Sequence, residues 1–64
     1  MDNEIIELLE TIEEQLSNAA EDSVKFVQGN NSAGTRVRKC MQSIKNLAQE
    51  VRREVQNQKN AVTA

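Results

Sequence analysis

Between Ile5 and Phe26 the chain returns to one side at alternating steps of four and three residues: Ile5, Leu9, Ile12, Leu16, Ala19, Ser23, Phe26. That period belongs to an α-helix, because a strand would need alternation at every second residue. Ile6, Leu8, Ala20, Val24 and Val27 widen the stripe. Asp2 or Asn3 can cap the start, and the glutamates that follow stand where the helix dipole favours negative charge. The spacing predicts a helix over about residues 3–28, with ends uncertain by a few residues.

The second half repeats the rhythm. Val37, Cys40, Ile44, Leu47 and Val51 form the stripe, and Met41, Ala48 and Val55 run beside it. This predicts a helix over about residues 31–59, fraying toward the C-terminal NAVTA. No segment alternates apolar and polar residues for long, so strands are not expected. Between the helices, over residues 29–31, Gly29 can take the left-handed conformation that ends a helix, and Asn30, Asn31 or Ser32 can cap the next. A connection this short turns the second helix back along the first. The expected fold is all-α: one domain of 64 residues built as an antiparallel helical hairpin.

Two helices in contact hide only a narrow stripe, and both of these are apolar beyond it. Each large side chain left exposed forgoes on the order of 1.5–3 kcal/mol. A chain of this size is also below the length at which one core supplies more than about 3–5 kcal/mol. Pairing of two hairpins into a homodimeric four-helix bundle recovers the burial. The expected bundle core is Ile5, Leu9, Ile12 and Leu16 with Val37, Met41, Ile44, Leu47, Val51 and Val55.

Composition narrows the chemistry. Phe26 is the only aromatic residue, Pro and His are absent, and Cys occurs once. An internal disulfide and a soft-metal site are therefore excluded, and no cofactor is expected. Cys40 reads as a small buried thiol, since no His is present to activate it. Glu7, Glu14 and Glu21 repeat on the outward face, where solvation explains them, so an enzyme is not expected. The opening MDNEIIELLE is neither a secretory signal nor a membrane span, and a cytoplasmic setting without membrane association is the expectation.

The stretch GNNSAGTR spaces Gly29 and Gly34 as a phosphate-binding loop would. That loop needs Lys and then Ser or Thr after its second glycine, and a strand before its first. Thr35-Arg36 follows Gly34 here, and nucleotide binding is not expected. The amides at the helix start, beside Arg36, could instead meet one phosphate of a polymer.

Charge changes the picture most. The formal net charge is −2, but residues 1–28 carry eight carboxylates against Lys25, and residues 29–64 carry seven cations against Glu50 and Glu54. Arg38, Lys45, Arg52 and Lys59 recur every seven residues, which lines them along one flank of the second helix at steps of about 10.5 Å. Lys39 and Arg53 stand one position further round, and Arg36 lies near the turn. Such a ridge can track the phosphates of double-stranded DNA, releasing condensed counterions. Without interleaved aromatics it has no means of stacking single-stranded bases. It can equally be a solvated face, or pair with acidic residues of a neighbouring helix in a module for oligomerisation or protein interaction.

The segment GNNSAGTRVRK, followed by an amphipathic basic helix through NLAQEVRRE, resembles the histone-like nucleoid proteins of chlamydiae and Bacteroidetes, named for their likeness to eukaryotic linker histones. The likeness covers roughly Gly29 to Glu54; in the acidic first helix it extends only to the apolar rhythm. It implies sequence-independent DNA binding and nucleoid compaction, with Arg36, Arg38 and Lys39 on the family's basic run. Asn31 takes a place where a lysine is expected, and the family's long Lys- and Ala-rich tail is not among these 64 residues, which end at Ala64.

Overall fold

The computed structural model describes residues 3–63, in two helices and no strand: α1 over Glu4–Val27 and α2 over Asn31–Thr63. Asn3 caps α1, its Oδ1 accepting from the Ile5 amide at 2.8 Å; Asp2, the other candidate, lies outside the described residues. Glu4 and Glu7 occupy the first turn and Lys25 the last, so charge at both ends suits the helix dipole.

The turn is built from backbone chemistry. Gly29 holds φ at +108°, a region glycine enters without steric penalty. That conformation lets the Asn30 amide reach back to the Lys25 carbonyl at 3.0 Å and the Gly29 amide to the Phe26 carbonyl at 2.9 Å, the paired closure of a Schellman motif. Asn30 then caps α2, its Oδ1 accepting from the Ala33 amide at 3.1 Å. One helix is sealed and the next opened within three residues. α2 continues to Thr63, past the expected end near residue 59, since nothing in NAVTA breaks a helix: it contains neither Gly nor Pro.

The helices run antiparallel against each other. Leu8, Ile12, Gln15, Ala19 and Asp22 of α1 meet Ala33, Val37, Cys40, Ile44, Leu47, Val51, Glu54 and Gln58 of α2, all at least half-buried. Both series step by four and three. Leu9 and Leu16, expected on the central stripe, remain 46% and 55% exposed, and Leu8, expected on the flank, turns inward. The rotated contact line carries the most buried residues, the small Ala19 and Ala33, 4% and 0% exposed. Phe26 seats its ring on Gly34, where an added Cβ would stand 2.6 Å from the ring.

At the open end an amide pair closes the hairpin: Asn3 Nδ2 donates to Gln58 Oε1 at 3.3 Å, and Gln58 Nε2 donates to Asn3 Oδ1 at 3.2 Å. The resulting body measures 54 by 21 by 10 Å, with a radius of gyration of 15.3 Å. A globular chain of this length would have about 11 Å. The hairpin is a single layer, and among the described residues no large side chain is fully buried.

Candidate nucleic-acid interface

An α-helix advances by about 100° per residue, so a seven-residue repeat drifts by roughly 20° per step. Arg38, Lys45, Arg52 and Lys59 therefore form a ridge that winds slowly along α2, over a length of about 32 Å. All four side chains are exposed. The contact with α1 also repeats every seven residues, so the ridge keeps one angle to it, on the side of α2 turned away from α1 and toward one broad face of the hairpin. Its length is close to one turn of duplex DNA, about 34 Å.

The other cations are placed differently. Lys39 and Arg53 are exposed on α2 but lie round the helix from the ridge, Arg53 facing a shallow depression of about 230 Å³ shared with Glu4, Leu8, Glu50 and Glu54. Arg36, its side chain 48% exposed, is engaged across the hairpin, its Nε donating to Asp22 Oδ1 at 3.0 Å. Asp22 is the more enclosed partner, so this pair fastens the second turn of α2 to the last turns of α1. Of the basic run that carried the resemblance, Arg38 and Lys39 are exposed, and Arg36 is shared with a structural role.

Charge segregates across the width of the molecule. Glu7, Glu10, Glu14 and Glu21 lie on the side of α1 opposite the helix contact, and the ridge lies on the far side of α2. The two edges are separated by the 21 Å width of the hairpin. With a Debye length of about 8 Å at physiological salt, a polyanion along the α2 edge is largely screened from its own chain's acidic edge. The net charge of −2 is thus a poor guide to what the ridge experiences.

Cys40, half-buried, donates its thiol hydrogen to the Gln15 carbonyl at 3.1 Å. Among the described residues there is no cluster of His, Cys, Asp or Glu suited to a metal ion. Gly29 and Gly34, read as a possible phosphate loop, have separate mechanical tasks at the turn and beneath Phe26. An open groove of about 470 Å³ beside them is lined by Ser23, Phe26, Asn31, Gly34, Thr35, Val37 and Arg38. No described helix is long and apolar enough to cross a membrane.

Sequence reasoning missed Gln15, Asp22 and Gln58 as contact residues. The signal was their spacing: Gln15 and Asp22 fall on the four-three rhythm of Leu8, Ile12, Ala19 and Phe26, and Gln58 continues that of Val51 and Glu54. A search restricted to apolar residues passes over them.

The two-helix hairpin with one acidic edge and one basic edge defines a small, all-helical class of protein with a cationic ridge. The chain matches the family described as Histone H1-like protein Hc1 over residues 6–61, and it belongs to that family. Membership points to a DNA-binding, non-enzymatic architectural role. Neither the curated proteins nor the solved structures contain a match to the chain.

Proposed function

We propose that this protein is a small architectural protein of the nucleoid that binds double-stranded DNA through the phosphate backbone without reading sequence. The observation that carries this is the exposed ridge Arg38, Lys45, Arg52 and Lys59 on the edge opposite Glu7, Glu10, Glu14 and Glu21 of α1. Lys39 and Arg53 would extend the contact round the helix, and Arg36 would add to it from the turn. None of these side chains is set among groups that could discriminate base edges, so register and sequence are free. The working form in this reading is a homodimeric four-helix bundle, in which two hairpins supply two ridges.

Binding to a short duplex, measured by mobility shift and anisotropy across a salt series, tests the reading. Four phosphate contacts give a slope of log affinity against log salt near −3.6, or roughly a hundredfold loss between 50 and 200 mM. Duplexes of unrelated sequence should bind alike. Converting Arg38, Lys45 and Arg52 together to Gln should abolish binding while leaving helicity unchanged, because all three lie outside the hairpin contact. Unaltered binding by that variant would move the interface off the ridge. Absence of binding by the parent protein at low salt would overturn the DNA reading in favour of an interaction module.

A further inference from the structure

One broad face of the hairpin is apolar on both helices. Leu9 and Leu16 of α1 stand about 80° to one side of the helix contact, and Met41 and Ala48 of α2 stand by a similar angle to the same side, since the helices are antiparallel. The groove lined jointly by Ser23 and Val37 opens on this face, and the depression beside Glu4, Glu50 and Arg53 opens on the other. A face of 54 by 21 Å offers about 1,100 Å², more than the roughly 800 Å² that each partner contributes to a standard interface. Leu16 and Met41 are 55% and 42% exposed there, in a molecule one layer thick.

Charge decides how a second copy fits. The ridge of α2 borders this apolar face, and on α1 the corresponding border is the seven-residue line Ile6, Glu13, Ala20 and Val27, with Ile6 and Val27 47% and 83% exposed and Glu10 one step further out. If α2 lay over α2 of the partner, the two ridges would face each other along one seam. If α2 lies over α1 of the partner, the Lys and Arg stems cover the exposed apolar border and their heads reach carboxylates. Phe26 is level with Gly34 and Asn3 with Gln58, so Glu13 is level with residues 45–49.

We propose that a second copy of this chain covers the face with its turn at the same end of the bundle, setting the acidic helix of each copy beside the basic ridge of the other. This rests on the bundle reading above and adds a consequence to it. In the free dimer Glu10 and Glu13 of one copy compete with DNA for the ridge of the other. Both groups are exposed, so the pairing is weak and a polyanion displaces it.

The arrangement is measured without DNA. Sedimentation equilibrium at micromolar concentration should give twice the chain mass. A nitroxide at position 32, in Ser32→Cys on a Cys40→Ser background, should show a pulsed-EPR separation of roughly 15–30 Å, since the two turns share one end of a bundle with helix spacings of 8–10 Å. The opposite arrangement places the labels near the 54 Å length of the hairpin. Lys45→Glu should raise the dimer dissociation constant about tenfold, and adding Glu13→Lys should restore it. A monomeric parent would overturn this proposal together with the bundle. A dimer with the long separation, or a charge swap that fails to restore affinity, would overturn the arrangement alone and leave the bundle and the DNA reading standing.

Discussion

Replacing Gly34 by Ala sets two effects against each other, and the structure fixes which residue arbitrates. In a solvated helix the change is favourable by about 1 kcal/mol, because glycine gives up more backbone entropy than alanine. Here the new methyl would stand 2.6 and 2.7 Å from Cδ1 and Cε1 of Phe26, closer than carbon atoms approach. The ring must therefore swing off α2. Phe26 is already 50% exposed, so what it loses is the buried half of its contact, on the order of 1–2 kcal/mol at 25 cal/mol per Å². Gly34→Ala in the parent protein should then range from neutral to about 1 kcal/mol destabilising. In a Phe26→Ala background nothing occupies the space, and the same change should stabilise by roughly 0.5–1 kcal/mol. The double-mutant coupling is thus about 1–2 kcal/mol. Urea unfolding followed by far-UV circular dichroism, at one protein concentration for all four species, measures it. Equal stabilisation by Gly34→Ala in both backgrounds would refute the seating of Phe26 on α2.

Other changes probe the ends and the middle of the hairpin. Gly29→Val should cost more than about 1 kcal/mol from backbone strain alone, because φ is +108° and no atom lies within 4 Å of an added Cβ; a neutral result in thermal unfolding would move the end of α1. Asn3→Ala removes both the cap of α1 and the amide pair with Gln58, and a loss of about 1–2 kcal/mol is expected in chemical unfolding, more than Gln58→Ala produces. Ile44→Asp places a carboxylate in the helix contact without a partner and should remove helicity and self-association together, as read by circular dichroism and sedimentation. A folded, helical Ile44→Asp protein would show that this contact does not hold the hairpin.

The two helices and their reversal were legible in the sequence because each rests on local chemistry. Four-three periodicity, an Asn cap and a glycine at the turn act within a few residues of one another, and no distant contact is needed to favour them. The seven-residue spacing of Arg38, Lys45 and Arg52 was legible for the same reason. What could not be read was the engagement of Arg36: it stands in the basic run with Arg38 and Lys39, yet its bond to Asp22 joins residues fourteen positions apart and exists only because the turn brings the two helix ends together.

By itself the sequence determined a band of apolar positions wide enough for two contact lines on α1 that share Ile5, Ile12 and Ala19, one adding Leu9, Leu16 and Ser23 and the other adding Leu8, Gln15 and Asp22. Only the packing of α1 on α2 chose between them. Hydrophobicity favoured the first line, with Leu9 and Leu16 against Leu8 and two polar residues, but the hairpin turns the second inward and buries most deeply the small residues Ala19 and Ala33, at two separate levels of the contact. Once the contact settled there, Gln15 and Asp22 were carried inward with it. Gln15 Oε1 is left buried with no hydrogen-bond partner in the hairpin, the Gln15 backbone carbonyl receives the Cys40 thiol, and Asp22 receives Arg36. The displaced line, Leu9 and Leu16, was turned to the open face beside Met41. Local periodicity fixes that a side chain lies on a band, and the packing of one helix on the other fixes where within the band the contact falls.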